Sequence, residues 1–175
     1  MIALDWLKAA VLVFVAAVLQ TAVFSGVIVL GGHPDLLLVS LVAVALLRGP
    51  IVGAAAGFWA GLLLDTANLE TLGVTSFLLT VVGYWIGRYG ETTGRDRTHA
   101  PFVSVAAVTF LYALGALAFR FVLGDAAPAR DVLLATLFQT IALNLILAWP
   151  VYRLARVLLP TFDRASRAQR VHAVG

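Results

Sequence analysis

Long uncharged apolar runs, separated by short polar pieces, make up most of this chain. A transmembrane helix needs about 20 such residues, within a range of roughly 17–25. The first run, Trp6 to Leu30, has Lys8 near its start and Gly26 near its far end. A cleaved signal peptide would have a shorter apolar core and a more basic start, so a retained helix is predicted. From Pro34 to Asp65 the pattern is split. Leu36–Leu47 and Ile51–Leu64 are apolar, and Arg48-Gly49-Pro50 lies between them. One long helix would hold a charge and a proline at mid-bilayer, which is expensive for side chain and backbone alike. Two helices with Arg48 at the turn are therefore expected. Thr71–Gly87, Pro101–Leu123 and Val132 to about Leu154 complete the series. The pattern predicts an all-α integral membrane protein with six transmembrane helices. Its spans cover about 6–30, 34–47, 50–65, 71–87, 101–123 and 132–154, in one domain over residues 1–160. A polar, basic, mobile cytoplasmic tail, 161–175, is expected to follow.

Charge placement tests the number of spans. With the N-terminus inside, six spans put Lys8, Arg48, Arg88, Arg95, Arg97, Arg153, Arg156, Arg164, Arg167 and Arg170 on the cytoplasmic side. These are ten of the twelve basic residues; Arg120 and Arg130 fall outside, beside Asp35, Asp65, Glu70, Asp125 and Asp131. Merging the second and third spans would put Arg88, Arg95 and Arg97 opposite Lys8. The positive-inside rule thus favours six spans with both termini cytoplasmic. Trp6, Trp85, Tyr89, Trp149 and Tyr152 fall at the same inner interface, where amphipathic rings settle.

Composition removes whole classes of function. Of 175 residues, 62% are hydrophobic and 12% charged, against about half and a quarter in soluble domains. A soluble enzyme of this size has no way to bury so much apolar surface, and a disordered chain needs low hydrophobicity and high charge. Topology accounts for the net charge of +3, so membrane lipid rather than nucleic acid is the expected surrounding. Without cysteine there are no disulfides, thiolate metal sites or cysteine nucleophiles.

Few residues advertise chemistry. Gly53, Gly57 and Gly61 recur every four residues on one face of the third span. A partner backbone can approach such a face to van der Waals contact, either within this bundle or on another protein. Asp35 and Asp65 end the second and third spans on one side, where they form an acid/base or cation pair with His33 or Glu70, or simply terminate helices. Asp35, after Pro34, suits a helix start, and Asp65 suits the water boundary. Gln20, Thr21, Gln139, Thr140 and Asn144 lie deepest in the apolar runs and are expected to bond across helices. Arg120 is expected to snorkel to the interface or pair with Asp125. His33, His99 and His172 are too scattered for a metal-ligand spacing, so no metal is expected. No nucleophile–base constellation and no Gly-rich phosphate loop with a lysine is present.

One ordered set of landmarks remains. Gln20-Thr21 is followed by Pro34-Asp35-Leu36-Leu37-Leu38, then by Leu46-Leu47-Arg48-Gly49-Pro50-Ile51-Val52-Gly53. Gly57, Gly61-Leu62-Leu63-Leu64-Asp65, Leu72-Gly73, Val82-Gly83-Tyr84 and Gly87-Arg88 come next, and Asn144 and Pro150-Val151-Tyr152-Arg153 close the series. This set resembles the rod shape-determining protein MreD family, most strongly over residues 19–90. The resemblance implies a multi-pass protein of the bacterial cytoplasmic (inner) membrane with no catalytic activity and no cofactor. It also implies work in the rod complex, or elongasome, which builds side-wall peptidoglycan. The implied partners are MreC directly, with RodA, a class B penicillin-binding protein and MreB in the wider complex.

The implied six-helix fold is similar to the substrate-binding subunit of energy-coupling-factor vitamin transporters, which supplies a rival function. Those subunits typically dock their coupling protein through AxxxA motifs on the first helix. Here Ala9, Ala10, Ala16 and Ala17 never stand four apart. The outer loops are short and lack a polar and aromatic cluster able to enclose a vitamin. A scaffold is therefore the expected function, with an intramembrane enzyme having only Asp35 and Asp65 to offer.

Overall fold

The computed structural model describes residues 2–24, 26, 31–69, 71–93, 99–124 and 130–159. The expected tail, 161–175, lies outside them, as do Glu70, Arg95, Arg97 and Asp125. Among the described residues the chain forms six α-helices and one π-helical turn. These are α1 (Ile2–Leu19), which runs into the π turn Gln20–Phe24, then α2 (Leu36–Arg48) and α3 (Pro50–Asn68). They are followed by α4 (Val74–Thr93), α5 (Ala100–Leu123) and α6 (Arg130–Leu158). Four stretches are long and apolar enough to cross a membrane: Trp6–Val23, Pro50–Asn68, Ala100–Phe119 and Leu134–Leu158. At 20 residues α4 is as long, but it carries Thr75, Ser76, Thr80, Arg88 and Glu91.

The second helix differs in kind. Its 13 residues rise only about 20 Å, less than a hydrocarbon core of about 30 Å. Every residue from Leu37 to Leu47 is buried. A helix that is apolar all round belongs inside a protein, and α2 touches each of the other five. It is the post around which the bundle packs. By contrast, α1 turns Ala9, Val13, Ala16 and Ala17 inward and leaves Leu7, Val11, Phe14 and Val18 exposed. In lipid, polarity no longer separates inside from outside, so small side chains face the neighbouring helix and large ones face the solvent.

Helix α2 stops at Gly49, whose φ of 89° is a conformation that glycine adopts without a Cβ penalty. Pro50 then opens α3, where its missing N–H has no helical partner to lose. The chain folds back sharply, because a Cβ on Gly53 would meet Ala45 Cβ at 2.8 Å.

Several ends differ from the expected spans. The first span was placed to Leu30, yet α1 ends at Leu19 and its π turn at Phe24; residues 27–30 lie outside those described. The Gln20 side chain bonds to the chain at Pro34 and Leu36, and the helix changes its winding there. Helix α4 runs past Gly87 to Thr93, and α6 continues through Pro150 to Leu158. Proline there removes one hydrogen bond without ending the helix.

Candidate functional site

Two seams organise the polar and small residues. The first joins α3 to α4. Gly53, Gly57 and Gly61 are buried, and each lies against the backbone of α4. An added Cβ would strike the Gly83 carbonyl from Gly53, the Leu79 carbonyl from Gly57, and the Ser76 backbone from Gly61. One residue number falls as the other rises, so the helices run antiparallel. The row continues on α4, where Gly87 meets Gly49 and Pro50 and Gly90 meets Leu46. Close backbone approach of this kind is what small residues permit in lipid. The glycine face thus packs inside this bundle. Across it the Ser76 hydroxyl donates to the Phe58 carbonyl at 2.9 Å.

Asp65 completes that seam. Its carboxylate is 1% exposed and accepts from the backbone N–H groups of Gly73 at 2.7 Å, Thr75 at 3.3 Å and Ser76 at 3.5 Å. The first turn of any helix has N–H groups without intrahelical acceptors. Here a residue of α3 supplies them to α4. The sequence placed Asp65 at the water boundary; the structure buries it, because α3 continues to Asn68 and the next helix needs an acceptor. Leu69, at φ 54°, and Gly73, at φ 95°, turn the chain between the two helices.

The second seam surrounds the entry to α2. Asp35 caps that helix, one carboxylate oxygen accepting from Leu38 N–H at 2.8 Å. Before it, residues 31–35 are not helical. Non-helical backbone at membrane depth is tolerated only where protein or enclosed water satisfies it. Side chains from α6 and the π turn do so. Gln20 Nε2 donates to the Pro34 carbonyl at 3.2 Å, and Gln20 Oε1 accepts from Leu36 N–H at 2.8 Å. Thr140 Oγ1 accepts from His33 N–H at 3.2 Å, and Asn144 Oδ1 from Asp35 N–H at 2.8 Å. Asn144, fully buried, also donates through Nδ2 to Thr109 Oγ1 at 3.1 Å. Gln139 lies against Gly31 and Gly32. Beside this junction is a cavity of about 250 Å³, lined by Gln20, Asp35, Thr109, Tyr112, Thr140 and Asn144 among others.

Of the deep polar residues, Gln20, Thr140 and Asn144 meet in one junction. The Thr21 hydroxyl bonds back to the Ala17 and Val18 carbonyls of its own helix. Asp35 and Asp65 are not a pair. Each carboxylate serves a different helix start, and their hydrogen bonds share no partner. His33 and His99 are exposed, and no group of three His, Asp or Glu able to hold a metal exists among the described residues. Pro34 and Gly83 are buried, whereas Pro150 and Gly73 are exposed. Arg48 stands at the C-terminus of α2, the end that favours a cation. The Arg120 side chain lies outside those described. Sequence reading overlooked Thr109, and it named Gly83 and Gly87 as landmarks without joining them to Ser76, Thr80 and Gly90 in one row on α4. That row recurs at alternating steps of four and three, a one-face signal that its mixed polarity disguised.

Comparison with known proteins gives one firm result. Neither a curated protein nor a solved structure matches the chain. Residues 1–159 match the family model of the rod shape-determining protein MreD. With all six described helices covered, the chain belongs to the MreD family of rod shape-determining membrane proteins.

Proposed function

We propose that this protein is a non-catalytic scaffold of the bacterial rod complex, binding MreC in the cytoplasmic membrane and supporting side-wall peptidoglycan synthesis. The observation that carries the reading is the family match over residues 1–159. The geometry supports it: Asp35, Asp65, Gln20 and Asn144 all hold the backbone of the fold itself. A scaffold works by differential contact energy, stabilising one conformation or assembly of its partners over another. RodA, a class B penicillin-binding protein and MreB act in the wider assembly. Both termini lie in the cytoplasm, so single cysteines at Asn68 and Thr93 label from opposite sides, Asn68 from outside. Purification of the tagged chain in mild detergent tests the partner. MreC co-purifies on this reading, and its absence from a preparation that retains other membrane proteins contradicts it.

A second reading rests on the cavity beside Asp35 and Asn144. On it, the bundle has the fold of a transporter's vitamin-binding subunit and takes a small ligand there. A ligand bound only to the native state raises stability by about 2.7 kcal/mol at 100 times its dissociation constant. A panel of vitamins leaves the melting temperature unchanged if the scaffold reading holds; a saturable shift with one compound favours the transporter reading.

A further inference from the structure

Two grooves flank α1, and only one of them has a charged residue in its lining. Between α1 and α3 lies a groove of about 650 Å³ whose lining, from Trp6, Ala10 and Phe14 to Ala55, Trp59 and Leu63, has no charged side chain. Between α1 and α6 lies one of about 600 Å³, with α2 as its floor. Val11, Val15 and Leu19 form one wall, Leu154 and Leu158 the other, and Lys8 lines one end. From Leu7 to Leu19, α1 rises about 18 Å, close to half of a hydrocarbon core of about 30 Å. An apolar channel one leaflet deep with a cation at its end matches an acyl chain joined to an anionic headgroup. Lys8 is exposed, so its ammonium is accessible to that headgroup.

We propose that the α1–α6 groove is a binding site for an anionic glycerophospholipid, with one acyl chain along Val11, Val15 and Leu19 and the phosphate at Lys8. The α1–α3 groove, which has no cation in its lining, holds lipid chains without regard to headgroup charge. One lysine near a membrane surface favours an anionic lipid by about fivefold. Native mass spectrometry of the full-length chain in detergent tests this. The probes are phosphatidylglycerol and phosphatidylethanolamine with identical acyl chains. The wild type is expected to retain phosphatidylglycerol about fivefold better; Lys8→Gln abolishes the preference and Lys8→Arg restores it. Val15→Trp fills the groove and lowers retention of phosphatidylglycerol, whereas Phe14→Trp, in the other groove, leaves it unchanged. Equal retention of the two lipids by the wild type, an unchanged preference in Lys8→Gln, or equal losses in Val15→Trp and Phe14→Trp would overturn the proposal.

Discussion

The α3–α4 seam and the entry to α2 solve one problem in opposite ways. Along α3–α4, side chains are removed: Gly53, Gly57 and Gly61 let backbone meet backbone. Around α2, side chains are added: Gln20, Thr140 and Asn144 supply hydrogen bonds to the non-helical residues 33–35 and to the first N–H of α2. The first seam depends on shape and has no slack, since a backbone carbonyl cannot step aside as a side chain does. The second depends on individual bonds, each worth on the order of 0.6–2 kcal/mol in a membrane. Damage to the two should therefore differ in size.

The largest effect is expected from Gly57→Leu. Overpacking typically costs about 1–3 kcal/mol, and more where neighbours cannot shift; here the Leu79 carbonyl is in the way. Size-exclusion chromatography in detergent should show loss of the folded bundle. Next comes Asp65→Ala, which leaves the N–H groups of Gly73, Thr75 and Ser76 without their acceptor. One buried unsatisfied group costs about 1–3 kcal/mol, so a clear fall in melting temperature is expected. Asn144→Leu orphans Asp35 N–H and removes the bond to Thr109. A smaller fall, of about 1–2 kcal/mol, should follow, since each such bond is modest. Leu63→Ala is the control. Leu63 is 38% exposed and off the glycine row, and its melting temperature should stay near that of the wild type. An Asn144→Leu loss as large as that of Gly57→Leu would erase the contrast between the seams.

The same contrast explains what the sequence disclosed. The break at Gly49 was legible because Arg48 and Pro50 violate an apolar run in ways lipid does not tolerate. The glycine row was legible because its period is that of a helix face. Its mate on α4 was not, because Ser76 and Thr80 share that face with Gly83, Gly87 and Gly90 and blur the pattern. The burial of α2 showed in the sequence only as the shortness of the apolar run Leu36–Leu47, since an apolar residue facing lipid reads the same as one facing protein. Nor could composition locate the end of α1: Gln20 is held by Pro34 and Leu36, contacts that exist only once the chain has folded back. Asp65 was read as a boundary residue for the same reason. Its partners are the backbone N–H groups of the next helix, which carry no side-chain signature.

Cell shape tests most directly whether the glycine seam supports the function. In a rod-shaped bacterium with this chain as its only MreD protein, Gly57→Leu should convert rods to rounded cells, and Leu63→Ala should leave rods intact. Immunoblotting of the membrane fraction then separates a bundle that has failed to fold from one that persists without MreC. Normal rods with Gly57→Leu at wild-type level, and MreC still co-purifying, would contradict the account.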